Sequence, residues 1–301
     1  MPELPDVSVY VEALERHVGG RRLERVRTMS PFVLRSVEPP LEAVAGRRVA
    51  GLRRIGKRIV LDLGESLFVV IHLMIAGRLV WKGPEAKSKK PAPNAIAAFE
   101  FENGTLYFTE AGTRKRASLT VVSGEEALRA LDPGGIDPLT CTFDAFRDAL
   151  QRESHTLKRS LTDPRLFSGI GNAYSDEILH AAKLSPLKLS RSLTAEEARR
   201  LHEAARETLD RWTSELRAEA AGGFPRKVTA FHPGMAVHGR YKLPCPVCGS
   251  PVQRIVYAEN ECNYCARCQT GGKLLADRSL SRLLRDDWPK SIDDLQEGAT
   301  P

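Results

Sequence analysis

The sequence lacks any long apolar run. No stretch approaches the roughly 18 consecutive apolar residues that a membrane-spanning helix needs, and the first residues, MPELPDV, have neither the basic start nor the apolar core of a secretory signal. Internal repeats and low-complexity tracts are also missing. These absences argue against a membrane or secreted protein, and we expect the chain to work in a reducing, cytoplasmic setting without contact with a membrane.

Cysteine is scarce outside one short stretch. Five of the six cysteines lie between residues 245 and 268, and clustering of this kind in a reducing compartment favours metal ligation over disulfides. Two CxxC pairs, CPVC and CARC, stand 16 residues apart, so that two tight turns can present four thiolates as a tetrahedron. We expect one structural Zn²⁺ there, because four thiolates leave no open position for catalysis. Its ligands are Cys245, Cys248, Cys265 and Cys268, and Cys262 is a spare.

The charge balance of the chain is basic. Lys and Arg number 45 against 38 Asp and Glu, which gives a net charge of +7 and an isoelectric point near 9.2. An excess of this size suits a polyanionic partner, although a merely basic protein without such a partner has the same balance. The length of 301 residues suggests about two domains, each able to bury its own core.

The first half has the pattern of a helix followed by strands. Apolar residues repeat at helical spacing from Val7 to Val18, and Asp6 supplies a charge favourable to the helix N-terminus. From about 47 to 122 the chain consists of short β-rich runs, in which Asn103-Gly104 is a strong hairpin signal. These features predict a β-sandwich with a helix packed on it.

The second half is predominantly helical up to the cysteines. Chain-breaking residues in DPGGIDP, at 132–138, mark a domain boundary, and Ser123 and Glu126 predict a capping box for a short helix just before it. Thr194 and Glu197 form a second capping box at the start of the longest helical pattern. The helical patterns cover about 143–153, 156–162, 172–183 and 194–218.

The end of the chain is less regular. Residues 221–243 mix Gly, Pro, aromatic and basic residues without a clear period, as expected of a functional loop. The stretch PVQRIVYAENE between the CxxC pairs suits a β-hairpin, and a bound zinc would stabilise a finger whose core is otherwise too small. We expect a polar, mobile stretch after Pro289.

Four motifs occur in a characteristic order: MPELPDV, then Gly56-Lys57 after a strand, then LFSGIGNAYSDEIL, and finally the CxxC pairs. Together they resemble the formamidopyrimidine-DNA glycosylase and endonuclease VIII family over roughly residues 1–270. The resemblance implies an α+β fold with an N-terminal helix and β-sandwich, a helix-two-turns-helix domain and a C-terminal zinc-finger β-hairpin, with DNA bound between the domains. The expected divisions are a catalytic domain at 1–131, a linker at 132–142, a DNA-binding domain with a lesion loop at 143–243, a zinc finger at 244–270 and a tail at 271–301.

The N-terminus carries the catalytic residues that the resemblance implies. Once Met1 is removed, Pro2 has a terminal amine, and an ordinary α-amine pKa near 7.7 to 8 leaves roughly one in ten molecules neutral at pH 7. A secondary amine can attack the anomeric carbon of a nucleotide sugar and form an iminium that acts as an electron sink for elimination. By the resemblance, Glu3 is the general acid or base for sugar-ring opening. By the same resemblance, Lys57 contacts the DNA backbone beside the lesion and assists the second elimination, with an ordinary strand-edge lysine as the alternative.

The resemblance also implies the residues that hold DNA. Asn172 follows the sequence SGIG between two helical patterns, where backbone N–H groups at a helix N-terminus can approach a phosphate. Lys158 matches a basic residue of the same phosphate clamp, with a solvated lysine on a helix face as the alternative. Arg240, just before the finger, matches a family arginine. Ile75 lies where the family has a methionine that fills the void left by an extruded base, and Met74 is adjacent.

Two further positions depart from the family pattern. The Arg and Phe pair that forms the family's second wedge is missing, and the local sequence TEAGTRKRASL offers charge from Arg114, Lys115 and Arg116 without an aromatic ring. The finger hairpin of the family usually has an arginine five residues before the third cysteine, and that position is Asn260 here.

The residues and the resemblance together predict a bifunctional DNA glycosylase and abasic-site lyase of base excision repair. It would act as a monomer at the nucleoid, on double-stranded DNA with a damaged base or an abasic site. It would release damaged, oxidised bases through a Pro2 Schiff base and nick the strand by β- or β,δ-elimination. Two alternatives stay open: a catalytically weak DNA-damage-binding protein on the same scaffold, and a zinc-ribbon interaction protein without chemistry.

Overall fold

Helix α1 (Leu4–Val18) follows the N-terminus at once. Its first turn is closed by Asp6, whose Oδ2 accepts a 2.8 Å hydrogen bond from the backbone N–H of Glu3. One face of the helix is apolar at a spacing of three to four residues, and burial of this face holds the helix in place. The face consists of Leu4, Val7, Tyr10, Leu14 and Val18.

Two four-stranded antiparallel sheets come next and form the predicted β-sandwich. The first sheet has the order β1 (Leu23–Thr28), β6 (Ala95–Phe101), β7 (Gly104–Glu110) and β5 (Gly77–Lys82). The second has the order β2 (Gly51–Ile55), β3 (Arg58–Asp62), β4 (Leu67–His72) and β8 (Ser118–Ser123). Side chains from α1 and from both sheets share one apolar core, which includes Leu14, Val69, Phe99, Phe108 and Leu119. The hairpin β6–β7 closes at the predicted turn, with Phe101 paired to Gly104.

Strands β3 and β4 are apolar at every interior position because both of their faces are covered. Ile59 and Ile71 belong to the main core, whereas Val60 and Phe68 belong to a second cluster with Leu128 of helix α2 (Glu125–Arg129). Burial in these two clusters explains why apolar residues are consecutive in β3 and β4. In a sheet with one exposed face, apolar and polar residues would alternate along each strand.

The predicted capping box at Ser123 is wrong. Ser123 is the last residue of β8 and pairs with Leu67, so the sheet holds its backbone in an extended conformation away from the helix. The N-cap is Gly124 instead, with a φ of 91° and no side-chain hydrogen bond to the helix. Pairing within the sheet therefore overrides the local capping signal.

The described residues are 1–85, 90–226, 228–229, 231–257, 260–275 and 290–297 of this computed structural model. The chain separates into two compact units: Met1–Pro133 with Arg211–Thr229, and Gly134–Asp210 with Ala230–Pro301. Within the described part of the chain, no helix is long and apolar enough to cross a membrane.

The first unit is completed by the segment Arg211–Thr229, which comes from far along the sequence. Arg217 donates two 2.8 Å hydrogen bonds to the carboxylate of Glu12 on α1. The ring of Phe224 lies 5.8 Å from that of Tyr10, and both rings belong to the first unit. Helix α1 is thus covered by residues about 200 positions away in the sequence.

The second unit begins with helices whose starts are set by threonines. Thr142 caps α3 (Phe143–Gln151), and Thr156 caps α4 (Leu157–Thr162). Helix α5 (Asn172–Ala181) starts after Gly171, and α6 (Ala195–Ala220) follows, with its residues from Arg211 onward belonging to the first unit. The predicted capping box of α6 is present: Thr194 N–H donates to Glu197 Oε2 at 2.9 Å, and Glu197 N–H donates to Thr194 Oγ1 at 3.2 Å.

The region of the cysteines folds as the predicted hairpin, here β9 (Gln253–Tyr257) and β10 (Asn260–Tyr264), followed by the short helix α7 (Ala266–Thr270). One side of the hairpin forms a small apolar core. Its buried members are Ile255, Cys262, Tyr264, Ala266, Leu274 and Ile292.

The expectation of a mobile stretch after Pro289 is wrong for the residues described there. Ile292 is fully buried in the finger core and begins the terminal helix α8 (Ile292–Glu297). Its N–H donates to Gly272 O at 2.8 Å, and Leu274 N–H donates to Lys290 O at 3.0 Å. A short finger buries little apolar surface by itself, and Ile292 adds a side chain that the hairpin lacks.

Candidate functional site

The start of α1 places the two N-terminal candidates in a buried setting. Pro2 is buried, and Glu3 is 1% exposed as the residue that precedes the helix. The α-amine belongs to Met1 here, and burial lowers its pKa below the ordinary value of 8.0. Glu3 opposes that shift, whereas Arg78 and Lys57 add to it. An amine in this position is neutral more often than one in water.

Asp6 lies in the first turn of α1, as predicted, and is a buried carboxyl beside the same terminus. Its Oδ2 accepts the Glu3 N–H, and its Oδ1 is buried without a hydrogen-bond partner among the described residues. Burial raises the pKa of Asp6 from 3.8 to about 7, with the negative charge of Glu3 adding to the shift. Asp6 therefore gains and loses its proton near neutral pH.

Lys57 lies in the tight turn between β2 and β3, directly after Gly56, whose φ of 57° suits a glycine. The neighbouring strand end carries His72, which sequence reasoning did not single out. Burial lowers the pKa of His72 to about 4, and the positive charges of Arg58 and Lys57 act in the same direction. His72 is therefore neutral at pH 7, and the only signal for it in the sequence is a polar residue that ends an apolar strand.

Two loops of the first unit carry the candidate wedge positions. Ile75 is 59% exposed in the turn between β4 and β5, where the preceding Met74 adopts a φ of 52°. A large apolar side chain held out on a strained turn suits insertion into another molecule. In the loop after β7, the buried carboxylate of Glu110 accepts the backbone N–H of Arg116 at 2.9 Å. This loop presents basic side chains on a fixed backbone.

In the second unit, the structure brings Lys158 and Asn172 into contact. The ammonium of Lys158 donates to Asn172 O at 2.6 Å and to Asp176 Oδ1 at 2.5 Å. The Lys158 side chain is 13% exposed, so it is not the solvated lysine of the alternative interpretation. Asn172 starts α5, and its Nδ2 donates to Glu261 O of the finger hairpin at 2.9 Å.

Arg240 precedes the finger in the same unit and is half-buried. Its guanidinium makes long hydrogen bonds of 3.4 Å to Pro233 O and Pro244 O, and its buried Nε has no partner among the described residues. Weak contacts of this kind leave the guanidinium able to bind an anion. Asn260 starts β10 and pairs with Tyr257 through the backbone.

The four CxxC cysteines converge into one group. Their sulfur atoms all lie within 4.8 Å of one another, with 3.9 Å between Cys245 and Cys268 and 3.4 Å between Cys248 and Cys265. A tetrahedral ion with metal–sulfur bonds of about 2.3 Å separates its ligands by about 3.8 Å. The group therefore fits one metal ion held by four thiolates. Cys262 lies outside this group and is buried in the finger core, where burial and the neighbouring Asp176 carboxylate raise the pKa of its thiol.

Comparison with known proteins identifies relatives over most of the chain. Residues 1–117 match the formamidopyrimidine-DNA glycosylase N-terminal domain, and residues 135–216 match the H2TH domain of the same enzymes. The formamidopyrimidine-DNA glycosylase of Heliobacterium modesticaldum is 34% identical over 280 residues, which cover 89% of this chain and 100% of that protein.

Solved structures give the same result. The crystal structure of the MutM (Fpg) protein from Thermus thermophilus superposes with a TM-score of 0.74 at 35% identity, covering 89% of this chain and 98% of that one. A Lactococcus lactis Fpg complex with DNA that contains an oxidised pyrimidine superposes with a TM-score of 0.77 at 25% identity, covering 89% and 100%.

Proposed function

The chain belongs to the formamidopyrimidine-DNA glycosylase family, and we propose that it releases damaged bases from DNA through a Schiff base on Pro2 and then nicks the strand by elimination. As a member of this family, the protein is a DNA glycosylase of base excision repair. The observation that carries the finer proposal is the buried terminus: Pro2 and Glu3 are both buried at the start of α1, and burial there lowers the pKa of the Met1 amine that precedes them.

The proposed reaction begins when removal of Met1 turns the amide nitrogen of Pro2 into a secondary amine. The neutral amine attacks C1′ of the damaged nucleotide, the glycosidic bond breaks, and the base leaves with the proton of the amine. The bond from C1′ to the ring oxygen O4′ then breaks, O4′ takes up a proton, and C1′ and the Pro2 nitrogen form an iminium. The resulting iminium withdraws electrons from C2′, a proton is lost there, and the bond from C3′ to its phosphate oxygen breaks by β-elimination. Lys57 is proposed to contact the phosphate beside the lesion and to assist a second, δ-elimination.

Glu3 is proposed as the acid and base of these steps. Its carboxyl precedes helix α1 beside Pro2, in a setting nearly closed to water. A protonated Glu3 can donate to the ring oxygen of the sugar as C1′ is attacked, and the carboxylate can later take up a proton. Burial strengthens both transfers because competing water is excluded.

DNA contacts are proposed at residues of both units. Asn172 and Arg240 would bind backbone phosphates, and Ile75 would occupy the space vacated by the extruded base. For the four thiolates we propose one structural Zn²⁺, the ion that prefers a closed tetrahedral site of this kind. The substrate class proposed is duplex DNA with an oxidised base or an abasic site, bound by a monomer at the nucleoid.

Covalent trapping tests the proposed nucleophile. Protein that begins at Pro2 is mixed with a duplex containing an abasic site and borohydride, and reduction of the iminium should fix the protein to the sugar. The matched control keeps Met1 behind an N-terminal extension, which leaves Pro2 as an amide, and should trap nothing. Glu3→Gln should bind a lesion duplex with unchanged affinity and fail to release the base.

Two outcomes would overturn the assignment. Full trapping with the blocked terminus would place the nucleophile elsewhere, with Lys57 the first candidate. If protein with a free Pro2 traps neither abasic nor lesion-bearing DNA, the chain is a DNA-damage-binding protein on this scaffold.

A further inference from the structure

Asp176, on helix α5, is a fully buried carboxylate that joins four parts of the second unit. Its Oδ1 accepts the 2.5 Å hydrogen bond from Lys158 on α4. Its Oδ2 accepts hydrogen bonds from Nδ1 of His238, at 2.8 Å, and from the backbone N–H of Asn263 on β10, at 3.1 Å. Helix α4, helix α5, the loop before the finger and the finger hairpin therefore meet at one side chain.

The loop before the finger is fixed by the neighbouring carboxylate of α5. Glu177 is 2% exposed and accepts the backbone N–H groups of Ala236, Val237 and His238 at 2.7 to 3.0 Å. His238 is held at both its backbone and its ring, because the ring donates to Asp176 when Nδ1 carries the proton. Loop and helix are thus connected by hydrogen bonds that are buried from water.

One stripe of α5 connects the helix to the finger. Asn172, Asp176 and His180 are four residues apart and lie on the same face of the helix. Asn172 donates to Glu261 O, Asp176 accepts from Asn263 N–H, and Nε2 of His180 lies 3.3 Å from Cys245 Sγ. The stripe sets the register between the start of α5 and the hairpin, and Asp176 is its central member.

Lys158 has its charge matched inside this network. Its ammonium is paired with the Asp176 carboxylate and also donates to the main-chain oxygen of Asn172. A cation that is neutralised within the protein adds little to the counterions released when DNA binds. Its contact with Asn172 fixes the residue proposed to bind phosphate.

We propose that Asp176 is a positioning residue that sets Asn172 and the finger hairpin in one DNA-binding arrangement, and that Lys158 acts through Asp176 instead of contacting a phosphate. The inference rests on the proposed function, because it concerns the binding of duplex DNA. It replaces the phosphate-clamp role that the family resemblance implies for Lys158.

Single and double variants of this pair should differ in DNA affinity. Lys158→Met leaves the Asp176 carboxylate buried without its cation, which disturbs every group bound to it. The double variant Lys158→Met with Asp176→Asn removes both charges and keeps an oxygen that can accept from His238 and Asn263. If Lys158 contacted a phosphate, the double variant would lose the same contact and could not recover affinity.

The test uses the full-length zinc-loaded protein and a duplex with a tetrahydrofuran abasic analogue, which cannot be cleaved. Affinity is measured across a salt series for wild type, Lys158→Met, the double variant and Lys57→Met as the matched lysine control. We expect Lys158→Met to weaken binding about tenfold with an unchanged salt slope, and the double variant to recover most of the loss. Lys57→Met should lower the slope by about one, as expected for one lost phosphate contact. A slope change in Lys158→Met equal to that of Lys57→Met, with no recovery in the double variant, would overturn the proposal.

Amide hydrogen exchange keeps the proposal testable without DNA. Lys158→Met should speed exchange at Asn263 N–H by tenfold or more, and the double variant should restore its protection. Unchanged protection in Lys158→Met would overturn the positioning role. Failure of wild type to prefer the abasic analogue over undamaged duplex would instead count against the proposed function, while the exchange result still decides the role of Asp176.

Discussion

Nε2 of His180 lies 3.3 Å from Sγ of Cys245, so a side chain of helix α5 reaches one of the four clustered cysteines. His180 is 5% exposed, and burial lowers the pKa of its imidazole. A neutral ring with its proton on Nε2 donates a hydrogen bond to a Cys245 thiolate. Hydrogen bonds of this kind to a metal ligand orient the ligand and slow the release of the metal ion.

Replacement of His180 by Phe should therefore weaken the metal site. We expect zinc to transfer to a chelating dye about tenfold faster than from wild type, since loss of an outer-shell partner typically costs 10- to 100-fold in metal affinity. His155→Phe is the control, because the His155 ring contacts Glu153 and, in the part of the chain that the structure describes, hydrogen-bonds no cysteine. Equal zinc-release rates for the two variants would contradict the role of His180.

The stability of the first unit should depend on pH through Asp6. Its pKa is about 7 in the folded protein, against an ordinary value of 3.8. Between these values the folded state retains a proton that the unfolded state has lost, so the free energy of unfolding falls as the pH rises. The contribution of protonated Asp6 to the free energy of unfolding is complete below about pH 4 and is lost by about pH 7.

Urea unfolding at pH 5 and pH 7 measures this effect. The free energy of unfolding of wild type should fall by about 2 kcal/mol from pH 5 to pH 7. That of Asp6→Asn should fall much less, because asparagine does not titrate. Asp210→Asn, at an exposed position, is the control and should follow wild type. A variant at Asp6 with the same pH dependence as wild type would show that the burial of this carboxyl has no such consequence.

Shortening Ile75 should separate base release from strand nicking. Ile75→Ala removes most of the exposed apolar surface that is proposed to fill the vacated space in the duplex. We expect the rate of base release from a lesion duplex to fall about tenfold. Extrusion of the base costs a few kcal/mol, and the shortened side chain offsets less of this cost because it fills less of the vacated space. Nicking at a preformed abasic site, which has no base to extrude, should fall much less. Val37→Ala, at an 86% exposed position of the same unit, should change neither rate.

The core of the finger should depend on Ile292. Ile292→Ala removes a fully buried side chain and should destabilise the finger by about 2 to 4 kcal/mol. Faster zinc loss and earlier proteolysis within residues 244–297 are the expected signs, with the first unit unchanged. Val256→Ala, on the same hairpin at 42% exposure, is the matched control. Identical proteolysis of the two variants would contradict the contribution of Ile292.

Sequence reasoning succeeded where the signal is local. Thr194 and Glu197 form the predicted capping box because both partners lie within one turn of the same helix. The family, the α+β fold and the convergence of the four cysteines are likewise confirmed. Each of these follows from spacing or from motif order, which do not depend on distant contacts.

The features that sequence reasoning missed depend on residues far apart in the chain. Lys158 and Asp176 lie on different helices, and the local sequence around either residue does not predict that the two form an ion pair. The burial of Ile292 depends on a hairpin some 30 residues earlier, so the polar composition around it was misleading. The buried state of Asp6 depends in the same way on the packing of α1 against the sandwich.

The assembly of the first unit from two separate stretches has a consequence for synthesis on the ribosome. Residues 1–133 emerge first, before the residues that contact α1 from later in the chain have been made. The ion pair of Glu12 with Arg217 and the ring contact of Tyr10 with Phe224 cannot form until then. The nascent sandwich must persist with part of α1 uncovered while the intervening helices are made, at roughly 5 to 20 residues per second. Closure of such a distant contact is slow and leaves apolar surface open in the meantime. The surface of α1 that Phe224 and Arg217 cover is therefore completed last, after these residues have left the ribosome.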